Sequence, residues 1–434
     1  MKENGALTGE NESSYLMNSQ KRMIFLINSP ILLGIFDSEA LSFLKWVRKS
    51  GFQTDMILFV DPDWRQKKDY AEKLDAIRED LEGGRLVTID RPSQFQGFSA
   101  FERGLINALE DLLENPQERR IIHCMGYLLT YISLKAKKKR FPNLKIHSDL
   151  RGILPEECLY YEKGWVPLRI LRFILARKME KVIVREADSL SCVSEAFKNY
   201  LLKKYQIPDD KIIVVPLCID TEKFYFSSEK REKFRKKTGW ENKFVVIYCG
   251  KHQKWQLPEQ MIRNMAILAE QNQPSKAIIL TRVPDDFKKD IDRLSPEMAK
   301  HFEIHCAPHH EVSNYLMAAD LGVLFRKQDL VNMVACPTKF AEYISCGLSV
   351  LCTEGIGDIS GMVREKNLGW VIYNPFSKKQ IEEVSRKIAA CGDTCFNNES
   401  RTRRSREAAE VFSWEKRIGT VTDRYHNLLN NSSF

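Results

Sequence analysis

The chain has no apolar run approaching the roughly 18 residues that a membrane-spanning helix needs, so any contact with a bilayer is expected to be peripheral. Its opening stretch, "MKENGALTGENESSYLMNSQ", lacks an apolar segment between a basic start and a cleavage pattern, which argues against an export signal. Residues 1–21 are expected to be a tail outside the fold. Cysteines at metal-ligand spacing are also missing. The 11 cysteines are scattered, several inside apolar runs such as "VVIYCG" and "LSVLCT", and the nearest pair, Cys391 and Cys395, has no second Cys or His pair beside it. A metal site and a secreted disulfide framework are set aside on that ground, and the cytosol is the expected compartment. No G-x-G-x-x-G follows a strand-like run, and no G-x-x-x-x-G-K-[ST], G-x-S-x-G or H-E-x-x-H occurs. Dinucleotide-dependent dehydrogenases, P-loop nucleotidases, α/β-hydrolases and zinc proteases lose their main sequence support.

What is present fits a soluble chain of two units. At 434 residues, 43% hydrophobic and 29% charged, it exceeds what one core usually serves. The formal net charge of +9 calls for an anionic partner: phosphates, an acidic membrane surface or nucleic acid. No nucleic-acid motif appears, and aromatics near the basic stretches are sparse, so nucleic acid is not expected. One concentration of charge is "LKAKKKR" at 134–140; another is "LRILRFILARKMEK" at 168–181, with apolar residues at 168, 171, 175, 179 and 182 in helical spacing. Such a helix either packs that stripe on a core or presents a basic and apolar face to an anionic membrane surface.

Short apolar runs alternate with amphipathic stretches. In the first half they are "MIFLIN", "TDMILFV", "RLVTI", "RIIHC", "LKIHS", "SLSCVS" and "KIIVVPL"; after a charged segment at 221–243 follow "FVVIYCG", "KAIILT", "FEIHCA", "LGVLF", "LSVLCT" and "GWVIY". Strand–helix alternation of this kind predicts an α/β fold of two doubly wound parallel sheets. The expected boundaries are 22–220 for the first domain and 221–403 for the second. A C-terminal helical stretch at 404–434 is free to cross back onto the first domain.

Ligands of such sheets bind outside the carboxyl ends of the strands. There the second domain offers Lys251 and Lys254 after "FVVIYCG", Arg326 and Asn332 after "LGVLF", and then "CPTKFAEYISCG". In that last segment Pro337 and Thr338 mark a helix start, whose free N–H groups and dipole suit a phosphate. Lys339 adds a full charge, and Glu342, one turn inward, suits the two hydroxyls of a ribose. Cations for phosphate beside a carboxylate for sugar describe a nucleotide pocket. A solvated turn and an i,i+3 ion pair are the plainer alternatives.

The series "VVPLCIDTEKF", "IYCGKHQKWQ", "HHEVSNYLMAADLGVLFR", "CPTKFAEYISCGLSVLCT" and "FSW" resembles bacterial retaining glycosyltransferases of family 4, of the capsule, lipopolysaccharide or exopolysaccharide type. The resemblance spans about residues 22–430 and is strongest over 211–415. It implies the GT-B fold, two Rossmann-like domains facing across a cleft. It also implies transfer of a sugar from a UDP- or GDP-sugar to a polysaccharide or lipid-linked acceptor, with retention. Glu342 then matches the second Glu of the family's E-x7-E motif, while Lys251 and Lys254 fall where the family has basic phosphate contacts, Lys251 where Arg is frequent. The first motif Glu falls at Val334, so its carboxylate is missing or replaced by Asn332 or a backbone group. In the first domain His147, Asp149 and Arg151 match loop positions facing the donor sugar, which would place Asp149 with Lys251 and Lys254 among the catalytic groups. No D-x-D pair lies beside a plausible site, and no cofactor is expected; the cations and the helix start would stabilise the leaving diphosphate. A nucleotide-sugar epimerase or hydrolase of the same fold, and a non-catalytic nucleotide-binding partner, remain as alternatives.

Overall fold

The structure is a computed structural model and describes residues 21–29, 31, 36–92, 97–113, 117–162, 164–374 and 377–430; the expected tail, but for residue 21, lies outside these. Among the described residues thirteen strands carry the architecture, and each is one of the apolar runs read from the sequence. The first seven are β1 (Arg22–Ile27), β2 (Gln53–Val60), β3 (Leu86–Asp90), β4 (Ile121–Met125), β5 (Lys145–Leu150), β6 (Ser189–Cys192) and β7 (Ile212–Val214). The remaining six are β8 (Phe244–Cys249), β9 (Ser275–Leu280), β10 (Phe302–His305), β11 (Leu321–Leu324), β12 (Ser349–Thr353) and β13 (Gly369–Ile372).

They form two sheets, of order β3-β2-β1-β4-β5-β6-β7 and β10-β9-β8-β11-β12-β13. Every pairing between them is parallel. Parallel strands need helical crossovers, which cover both faces, and strands buried on both faces read as unbroken apolar runs. In the first sheet Ile24, Leu26, Ile57 and Phe59 join one core cluster, while their neighbours Met23, Phe25, Met56 and Leu58 join another on the opposite face. The order reverses direction between β1 and β4 and again between β8 and β11. Connections there leave in opposite directions, so each sheet has a crevice at that point.

The helix Trp414–Asn430 belongs spatially to the first sheet. Trp414, Ile418, Val421 and Tyr425 form a helical stripe buried with Phe25, Phe43 and Phe52. The preceding helix, Asn398–Phe412, stays with the second sheet, where Phe412 meets Phe340 at 5.8 Å between ring centroids. The chain therefore crosses back at Ser413, beside its outward crossing at Ile219, and the Ile219 N–H donates to the Phe412 carbonyl at 2.9 Å. Cys391 and Cys395 form a disulfide where Gly392 interrupts their helix, a pairing the scattered cysteines did not lead us to expect. No helix among the described residues is long and apolar enough to cross a membrane.

Candidate functional site

The reversal between β8 and β11 places two loops side by side. The chain leaves β8 through Gly250, whose φ of +146° and close approach to the Lys339 ammonium leave no room for a side chain. The loop then continues through Lys251 and Lys254 and returns at Gln256. Lys339 is in the first turn of the helix Thr338–Ser345, which Pro337 precedes without any side-chain cap, so the N–H groups at that end remain available. The Lys339 ammonium donates to the Tyr248 hydroxyl and to Gln256 Oε1, both at 2.9 Å, and lies 4.4 Å from the Tyr248 ring centroid. Burial, and next the Arg326 guanidinium, lower its pKa to about 7, against the opposing pull of Cys249 and Glu342. Glu342 is half-buried one turn along the same helix.

Arg326 follows β11. One guanidinium nitrogen donates to Asn332 Oδ1 at 3.2 Å, while its Nε is buried without a partner. Burial lowers its pKa as well. Neither Arg326 nor Lys339 forms an ion pair among the described residues, and Lys251 and Lys254 are exposed cations likewise outside any such pair. Arg326 and Lys339 thus sit at one strand-end crevice outside any ion pair among the described residues, with the loop of Lys251 and Lys254 beside them, a setting that draws an anion.

The first domain closes on this rim. Tyr161 donates its hydroxyl to the Asp329 carboxylate and sets its ring edge-on to Trp255, with centroids 5.0 Å apart. Ser194 Oγ donates to the Val334 carbonyl at 2.7 Å. Asp358, from the second domain, accepts from the Glu195 and Ala196 N–H groups at 2.7 and 3.0 Å, capping the helix Glu195–Tyr205 of the first. A cavity of about 210 Å³ lies beside this latch, lined by Ser194, Pro216, Cys336, Asp358 and Arg417, and is distinct from the cationic rim.

The first-domain candidates are placed differently. His147 is fully buried, with its ring nitrogens 3.1 Å from Ser189 Oγ and Ser191 Oγ, and burial holds it neutral. It does not reach the cleft. Asp149 accepts from Arg151 Nε at 2.7 Å and from Ser191 Oγ at 2.8 Å. Burial would raise its pKa, but Arg151 and His123 outweigh that and hold it ionised. Strand alternation puts His147 and Asp149 on one face of β5, and the helix Trp414–Asn430 covers that face: the Tyr425 ring is 5.6 Å from that of His147. Asn332, offered as a substitute for the absent Glu, is also fully buried, held between Arg326 and Asp329. Val334 contributes its carbonyl to the latch rather than a side chain to the rim.

Tyr248, Gln256, Tyr161 and Asp329 escaped sequence reasoning. Asp329 alone carried a local signal, a carboxylate just ahead of a helix start, where it accepts from the Asn332 N–H.

The family model described as Glycosyltransferase Family 4 matches residues 41–223, and that described as Glycosyl transferases group 1 matches residues 230–411. The chain belongs to the glycosyltransferases, with a family 4 N-terminal half and a group 1 C-terminal half. It is 26% identical over 237 residues to the lipopolysaccharide glucosyltransferase WaaG of Escherichia coli (strain K12), an overlap of 53% of this chain and 61% of that protein's length. Among solved structures, a glycosyltransferase from Rickettsia africae superposes with a TM-score of 0.67 at 14% identity, covering 95% of this chain and 100% of the other. Anabaena HepE in complex with UDP-glucose gives 0.67 at 14% identity, covering 94% and 99%. At such identities the structural likeness speaks for the fold, two Rossmann-like domains of GT-B type.

Proposed function

We propose that this protein transfers a sugar from a UDP-sugar to a saccharide or lipid-linked acceptor at the cytoplasmic face of the membrane. The observation that carries the proposal is the pair of half-buried cations, Lys339 and Arg326, gathered without an ion pair among the described residues at an uncapped helix start beside a strand-order reversal. The UDP-glucose complex of Anabaena HepE supports the choice of nucleotide, and the overlap with WaaG supports a saccharide acceptor in lipopolysaccharide-like material.

Departure of the nucleotide builds negative charge on the diphosphate. Lys339, Arg326 and the N–H groups at Thr338 and Lys339 would meet that charge already oriented, with Lys251 and Lys254 at the outer edge; preorganised donors of this kind lower the barrier. Glu342 would accept from the ribose hydroxyls. Tyr161 and Asp329 would hold the two domains together over the donor, excluding water that would otherwise hydrolyse it. Transfer would proceed with retention, the acceptor hydroxyl entering on the face the nucleotide leaves.

The test is turnover of UDP-sugars with saccharide and lipid-linked acceptors, scored by product mass and by the anomeric proton coupling of the new linkage. A glycosylated product with the donor's configuration is expected. An altered free nucleotide sugar, or UDP binding without any turnover, would contradict the proposal.

A further inference from the structure

A thread of hydrogen bonds runs from the first domain to Arg326. Tyr161 donates its hydroxyl to Asp329 Oδ2, and the other oxygen of that carboxylate, Oδ1, accepts from both the N–H and the Nδ2 of Asn332 at 3.1 Å. Asn332 Oδ1 in turn accepts from Arg326 Nη1 at 3.2 Å. The contact that joins the two domains is thus tied, through Asp329 and Asn332, to a cation of the rim.

The residue types suit that role. Asn332 is fully buried, and a carboxamide has one donor end and one acceptor end. With Nδ2 committed to a carboxylate, Oδ1 has to face the guanidinium. A carboxylate in its place would repel Asp329 and pair with Arg326, cancelling the charge that draws an anion. The Tyr161 phenol stays a donor, because burial first and Asp329 next hold its pKa above the ordinary value.

Arg326 is pinned at its backbone. Its N–H donates to Thr353 Oγ1 at 2.9 Å, and its carbonyl accepts from Thr353 Oγ1 at 3.1 Å and from Asn374 Nδ2 at 3.0 Å. The guanidinium is held far less. Its bond to Asn332 is the one hydrogen bond the side chain makes among the described residues, and its Nε is buried without a partner. Asn332 therefore decides where the guanidinium points, and Tyr161 decides where the carboxylate behind Asn332 rests.

We propose that Tyr161, acting through Asp329 and Asn332, positions Arg326, so that this cation is set for an anionic ligand only when the first domain closes on the second. When the domains part, Asp329 loses Tyr161 and is free to turn Oδ2 toward Arg326, masking its charge. The coupling is reciprocal: an anion on Arg326 favours closure by as much as closure favours the anion. That the anion is the diphosphate of a UDP-sugar rests on the proposed function.

A double-mutant cycle on the full chain tests it, with UDP and, separately, inorganic pyrophosphate titrated by calorimetry. Tyr161→Phe should weaken UDP about fivefold in an otherwise wild-type chain, and by less than about twofold where Arg326→Met or Asn332→Leu is already present. With Lys339→Met the full loss should persist, because Lys339 lies outside the relay. A hydrogen bond that only held the domains together would cost the same in every background. The denaturant midpoint of each variant reports its folding; if Asn332→Leu does not fold, the cycle with Arg326→Met decides. A Tyr161→Phe loss undiminished by Arg326→Met, or no loss in the wild-type background, would overturn the proposal. Wild type that binds pyrophosphate but not UDP would strike the proposed function, and the same cycle scored on pyrophosphate would still decide the relay. Wild type that binds neither would overturn both.

Discussion

Two clusters of cations flank β11, one of them buried and the other half-buried, and they are built on opposite principles. Just before the strand, Asp320 accepts from Arg231 at 2.6 Å, Arg401 at 2.5 Å and Arg235 at 3.2 Å. The guanidinium groups place further donors on backbone carbonyls, among them Ala318, Ala319 and Lys243. Just after the strand, Arg326 and Lys339 have an amide, a phenol and a carboxamide for partners, and one Arg326 nitrogen has none. The first cluster ties the helices Ser228–Thr238 and Asn398–Phe412 to the sheet, and its donors are occupied within the protein. The second leaves its cations outside any ion pair among the described residues where the sheet opens to a crevice. One end holds the domain together, and the other, on the proposed function, receives the leaving diphosphate.

The largest expected effect lies at the structural end. Asp320→Ala leaves three buried guanidinium groups without their carboxylate and should lower the unfolding free energy by about 3–5 kcal/mol in a denaturant titration. A loss below about 1 kcal/mol would mean that the two clusters are of one kind. At the other end the sign reverses. Lys339→Met should weaken UDP binding at least tenfold, about 1.4 kcal/mol by calorimetry, while the midpoint of unfolding stays the same or rises, because a buried charge lacking an ion pair has been removed.

The comparison sharpens with pH. With no ligand, the Lys339 ammonium titrates at about 7. Below that value the charge is present; above it the free protein has lost its proton and must take one up to bind the diphosphate. UDP affinity should therefore fall by up to about tenfold per pH unit above 7, and Lys339→Arg should flatten the dependence. The smallest effect belongs to the closing contact: Tyr161→Phe removes one hydrogen bond to Asp329 and should raise the donor KM by the equivalent of about 1 kcal/mol, with stability unaltered.

Much of the fold was legible because parallel strands covered on both faces appear as apolar runs whatever their partners. The helix start at Pro337, with Lys339 and Glu342 one turn apart, was legible for a similar reason: caps and turns are written locally. The remainder depends on contacts far apart in the chain. Lys339 meets Gln256 across 83 residues and Tyr248 across 91, and Tyr161 meets Asp329 across 168. His147 shows the same limit from the other side. Alternation along β5 tells which residues share its face, but not that a helix beginning at Trp414 returns to bury that face.

Calorimetric titration of UDP into wild type and Lys339→Met, each in buffers of different ionisation heat, tests the central claim most directly. The cationic rim predicts tight binding by wild type, with net proton uptake at and above pH 7, and loss of both the affinity and the proton uptake in the variant. Equal UDP affinity in the two proteins, or binding by wild type with no proton exchanged across that range, would contradict it.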